Sequence, residues 1–87
     1  MLSIRDCLDY CDLTDDEVAL IAEHEAIPDA AAAHIACGLV QTPEGVLILS
    51  QFMAEMLHRA ESRGDRARAE QVRRICARFL QDHPVIH

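Results

Sequence analysis

Apolar residues recur along this chain at intervals of three and four, the spacing that places side chains on one face of an α-helix. Ile4, Cys7, Leu8 and Cys11 make the first such stripe. It opens at Ser3, with Asp6 in the capping position three residues on and Leu2 and Cys7 bracketing the start as an apolar pair. The next start, Thr14-Asp15-Asp16-Glu17, has the form of a capping box, flanked by Leu13 and Val18. In such a box the Thr hydroxyl accepts from the amide three residues on, and the Glu carboxylate returns the bond. Its acids also suit the positive end of a helix dipole. Val18, Ile21, Ala22 and Glu25 line one strip of this helix, and Leu20, His24 and Ile27 the adjacent one.

Pro28 suits the first position of a new helix, and the residue before a proline avoids the α region, so the previous helix is expected to end at about Ile27. The helix that follows, roughly 29–40, is short and rich in Ala, with Gly38 weakening its end. Thr42-Pro43-Glu44 reads as a cap, a first-turn proline and an acid, opening a helix that runs to about Arg63. Leu49, Phe52, Met53, Met56, Leu57 and Ala60 form its apolar face. Gly64 stops it and Asp65 caps the next helix, Arg66 to Gln81, whose Ala69, Val72, Cys76, Phe79 and Leu80 are expected to face inward. His83-Pro84 ends it. A connection this short permits little but an antiparallel hairpin. The pattern predicts an all-α fold: a compact array of four to five short helices ending in an antiparallel helical hairpin, as a single domain over residues 1–87.

Composition agrees. The chain is 51% apolar but carries only one Tyr and two Phe, so its core must come from Ala, Leu, Ile, Val and Met, which suits closely packed helices. So small a chain buries little surface, which makes a homodimer a reasonable expectation. No apolar run approaches the roughly 20 residues that span a bilayer, and no leader pattern opens the chain, so a cytoplasmic protein without a membrane partner is expected. On that reading Cys7, Cys11, Cys37 and Cys76 are thiols or ligands and not disulfides.

Charge is divided along the length. All eight basic residues are Arg, and the net charge is −7. Residues 1–44 hold ten acids against Arg5 alone, whereas residues 45–87 hold five acids against seven Arg. An acidic chain is a poor general binder of nucleic acid. A helix-turn-helix at the second and third helices fails as well, because Asp29-Ala-Ala-Ala-Ala-His-Ile-Ala-Cys has no side chain suited to reading base edges.

Three groups could carry chemistry. Cys7 and Cys11 share one helix face and His34 and Cys37 another, together the inventory of a structural zinc site, although Cys7 and Cys11 also fit an apolar stripe. Glu55 and His58 form the Glu-x-x-His of di-iron bundles, which a symmetric dimer could supply twice, but they also fall on a polar solvated face. Arg59, Arg63, Arg66, Arg73, Arg74 and Arg78 crowd the terminal hairpin, where paired guanidinium donors could meet an acidic partner or a phosphate-bearing ligand. Local pairs such as Glu55–Arg59 and Glu70–Arg74 would neutralise some of them. Glu23, His24 and Glu25 are adjacent, so on a helix they point apart, and His24 is expected at the core edge. No nucleophile elbow or Gly-rich phosphate loop is present. These observations point to a small non-catalytic binding or adaptor protein with a protein partner and no cofactor. Metal binding and anion-dependent regulation at Arg63, Arg66 and Arg73 are the competing readings.

Overall fold

The computed structural model describes residues 11–84. Four α-helices follow in order: α1 Asp15–Glu25, α2 Asp29–Leu39, α3 Pro43–Ser62 and α4 Arg66–Asp82. The described residues contain no strand, and no helix among them is long and apolar enough to cross a membrane. The helix expected from Ser3 lies outside the described residues.

The caps form where the sequence places them. Glu17 N–H donates to Thr14 Oγ1 at 3.1 Å and Thr14 N–H to Glu17 Oε1 at 2.9 Å, the two halves of the capping box. Thr42 Oγ1 accepts from Gly45 N–H at 3.0 Å with Pro43 in the first turn of α3, and Asp65 Oδ1 accepts from Arg68 N–H at 3.0 Å. The α3–α4 turn is a Schellman motif: Gly64 N–H reaches Glu61 O and Asp65 N–H reaches Ala60 O, both at 3.0 Å, with Gly64 at φ 73°. α1 ends with the same motif. Ile27 N–H donates to Ala22 O at 3.0 Å, and Ala26 takes the left-handed position at φ 55°. The helix therefore stops at Glu25, two residues before the boundary inferred from Pro28, because the turn satisfies the last carbonyls ahead of the proline. Pro28 becomes the N-cap of α2, not its first residue.

α3 and α4, joined by the tight turn at Gly64, pack most extensively, and α1 and α2 lie against them. The core joins Leu49, Met53, Met56 and Ala60 of α3 to Ala69, Val72, Ile75 and Phe79 of α4. Leu20 and Ile21 of α1 and Ala32, Ala33 and Ala36 of α2 close it from the other side. The face expected for α4 is turned by a fraction of a helical step. Ile75 is buried, Cys76 half-buried and Leu80 47% exposed, in a helix that packs on α1 as well as on α3. On α3, Phe52 and Leu57 flank the buried stripe and are half-buried. Gly45 touches α2: a β-carbon there would lie 1.8 Å from Leu39 O, so the start of α3 reaches the end of α2 only because position 45 has no side chain.

Two substitutions test this account. Ala26→Gly removes the steric cost of an L-residue in the left-handed region and should raise stability by about 0.5–1 kcal/mol in urea unfolding. Gly45→Ala should lower it by about 2 kcal/mol or more, since backbone and not a flexible side chain must yield.

Candidate functional site

The Arg residues sort into those with carboxylate partners and those without. Arg68, on the α4 side nearest α1, bonds Glu23, the link between the Arg-rich hairpin and the acidic first half. Arg73 Nη2 donates to Glu61 Oε2 at 3.1 Å and its Nη1 to Glu70 Oε2 at 3.3 Å. Arg74 Nε lies 3.4 Å from Glu70 Oε1, the expected i,i+4 pair. Arg78 Nε donates to Asp82 Oδ2 at 3.0 Å, and the Asp82 carboxylate holds the guanidinium even more firmly charged. These pairs stand in water and contribute little stability each, but they neutralise four of the cations. Arg59, Arg63 and Arg66 make no ion pair among the described residues. Arg59 instead rests Nη1 3.5 Å from Met56 Sδ. The expected Glu55–Arg59 pair does not form, because Glu55 turns to another helix.

That turn builds a contact the sequence did not suggest. His24 of α1 stacks on Phe52 of α3, ring centroids 4.3 Å apart and planes 16° from parallel. His24 Nε2 lies 2.8 Å from Glu55 Oε2 and Nδ1 lies 3.5 Å from Glu25 Oε2. The imidazole does sit at the core edge, with only 9% of its side chain exposed. It pairs with a carboxylate 31 residues away, which adjacency in sequence could not reveal. Both Glu55 and His58 are exposed, and Glu55 is engaged by His24.

The cysteines also part from expectation. Cys11 and Cys37 form a disulfide, their Cα atoms 5.6 Å apart, a separation suited to a bridge. The expectation of thiols or ligands rested on compartment, whereas packing brings the end of the leading segment onto the last turn of α2. Sulfurs bonded to each other are not metal ligands. His34 is exposed one turn earlier on α2, and Cys7 lies outside the described residues. Among the described residues no group of three His, Cys, Asp or Glu could hold a metal ion. Cys76 is free and half-buried, and desolvation pushes its thiol pKa up, which suits packing and not nucleophilic chemistry.

Two clefts follow one another along the outer side of the hairpin. One, about 170 Å³, is lined by Ser50, Met53, Ala54 and Leu57 of α3 and Cys76, Phe79 and Leu80 of α4. The other, about 430 Å³, lies at the turn between Glu61, Arg66, Glu70 and Arg73. Neither gathers an acid, a base and a nucleophile. No protein-family model, curated protein or solved structure matches the chain.

A perturbed carboxylate stands apart from these surfaces. Glu17 is fully buried, and its Oε2 has no hydrogen-bond partner. Burial pushes its pKa above the ordinary glutamate range; the Thr14 amide, His83 and Arg78 oppose the shift and Asp82 adds to it. His83 is held over this end of α1 by its Nε2–H, which donates to the Asp12 carbonyl at 2.9 Å, and by its ring contact with Phe79. The capping-box pattern marked Glu17 as bonded, but only the packing of α1 places it inside.

A raised pKa means the folded chain binds the Glu17 proton more tightly than the unfolded chain. Its contribution to stability is therefore full below the ordinary value of 4.5 and is lost as pH rises through the raised one. Glu17→Gln keeps an acceptor for the Thr14 amide but cannot ionise. Urea unfolding across pH should show the variant gaining on the native protein above about pH 4.5, then holding a constant difference. A difference that does not change with pH would refute the assignment.

Proposed function

We propose that this chain is a small non-catalytic binding or adaptor protein that works through its α3–α4 hairpin and presents a basic tip to an acidic protein partner. The observation that carries this reading is the set of three Arg around one turn, Arg59, Arg63 and Arg66, which lack carboxylate partners among the described residues on a chain of net charge −7. Every acid on an acidic chain is a potential neutraliser, and Arg68, Arg73, Arg74 and Arg78 have each found one. Cations left free beside them favour an anionic surface that arrives from outside, and they would steer its approach.

Helical spacing sets Arg59 and Arg63 on one flank of α3, beside Glu55, while Arg66 opens α4 on the other side of the turn. The surface for the acidic partner narrows accordingly to the hairpin tip; Arg73, Arg74 and Arg78 already hold carboxylates of their own chain. The proposal keeps the cytoplasm as its setting, a compartment that disfavours links such as the Cys11–Cys37 bridge.

The test is recovery of bound protein from the native host, compared between the natural chain and an Arg59→Ser/Arg63→Ser double variant. Both side chains are exposed, so the variant should keep its melting temperature within the range typical of surface substitutions. The expected result is a partner that binds the natural chain, weakens as salt is raised, and is lost by about tenfold or more from the variant. A partner retained equally by both chains overturns the proposal.

A further inference from the structure

We infer that the outer face of the α3–α4 hairpin is a self-association surface, on which a second copy of this chain packs to complete a four-helix bundle. The inference rests on the reading of the hairpin as the binding element, but it concerns the face beside Arg59 and Arg63 and shares only Arg66 with the tip.

The face is built by helical spacing. Leu47, Ala54, Leu57 and Glu61 follow one another along the outer edge of α3, and Leu80, Cys76, Arg73 and Arg66 run in the opposite direction along the facing edge of α4. The two clefts are thus two lengths of one groove: apolar from Ser50 and Leu80 to Leu57, with Leu47 one turn beyond Ser50 on the same edge, and charged from Glu61 and Arg73 to the turn. Leu47 and Leu80 stand 45% and 47% exposed at its apolar end. Ser50, Ala54 and Cys76 keep the middle shallow, which lets another helix approach closely.

The charges select the occupant. At the turn end the α3 edge carries Glu61 while the α4 edge carries Arg66 and Arg73. A two-fold axis running along the hairpin lays α3 of one copy over α4 of the other. Glu61 of each copy, which holds Arg73 of its own chain, then also meets Arg66 and Arg73 across the interface, and Arg66, which makes no ion pair among the described residues, gains a carboxylate. Leu57 and Ala54 meet Cys76 and Leu80 in the same arrangement, and all four helices alternate in direction, as in an up-down bundle. A two-fold axis across the hairpin would press the charged end against Leu47 and Leu80 of the other copy and bury charge without a partner. A purely acidic helix suits the groove poorly, because Glu61, Asp65 and Glu70 line the same end as Arg66 and Arg73. A surface with both signs in register with its own rotated image favours a second copy.

Sedimentation velocity of the full chain tests this. At high micromolar concentration the expected species has twice the 9.7 kDa mass of the chain. Leu80→Glu and Leu47→Glu, at exposed positions that the monomer fold does not need, should each give the single-chain mass with helical circular dichroism unchanged. Ile48→Glu, also exposed (39%) but on the opposite edge of α3, should remain dimeric. For the orientation, Glu61→Arg chains mixed with Arg66→Glu/Arg73→Glu chains should form heterodimers in preference to either homodimer. A natural chain that stays at single mass overturns the inference. So does a dimer that Ile48→Glu dissociates and Leu80→Glu does not, or a mixture that shows no heterodimer preference. Loss of the acidic partner from the Arg59→Ser/Arg63→Ser variant bears on the tip alone, since neither residue lines the groove.

Discussion

The rest of the structure depends on the tight reversal at Gly64. Its left-handed backbone lets the last carbonyls of α3 find donors in Gly64 and Asp65, and Asp65 at once caps α4. With so short a connection the two longest helices must lie side by side. Their buried stripes, Met53 and Met56 against Val72 and Phe79, then form a ridge of apolar surface that neither could cover alone. α1 and α2 are too short and too weakly amphipathic to be stable by themselves. They hold their form because this ridge gives Leu20, Ile21, Ala32 and Ala36 somewhere to bury.

Covering the ridge brings opposite charges and unlike rings together. Glu23 reaches Arg68, and His24 lies on Phe52 with Glu55 at its edge. These contacts tie the acidic half of the chain to the basic half and explain why the charge division survives in so small a protein. Glu17 shows the limit of such compensation. Its carboxylate completes the α1 cap on one oxygen and leaves the other buried without a partner, so the helix start is secured against a standing desolvation cost. The Cys11–Cys37 bridge ties the residues ahead of that cap to α2; closing 26 residues of chain removes disorder from the unfolded state worth roughly 3 kcal/mol.

The groove and the basic tip lie on what remains of the hairpin once α1 and α2 have taken one side of it. Leu80 and Cys76 were expected to face inward with Phe79. They follow the correct period but fall on the shoulder of α4, and there they build an outward surface. A helix covered on one side offers its flank to a neighbour, and the flank of α4 is where apolar and charged residues are both left uncovered.

The helix starts and stops were legible in the sequence because their causes lie within four residues of backbone. Thr14 with Glu17, Thr42 with Pro43, Gly64 with Asp65 and the ending at His83 all act through local hydrogen bonds that the residue types themselves specify. From these the all-helical fold followed. The candidate site was legible only as a cluster of Arg. Which of them stay free depended on carboxylates brought from elsewhere: Glu61 to Arg73, Glu23 to Arg68, and Glu55 to His24 and away from Arg59. The choice of Ile75 over Cys76 for the core, the burial of Glu17, the contact of Gly45 with Leu39 and the pairing of Cys11 with Cys37 were likewise decided by the tertiary structure. A helical pattern constrains which residues share a face, but the angle at which that face meets its neighbours is set only when all the helices compete for the same buried volume.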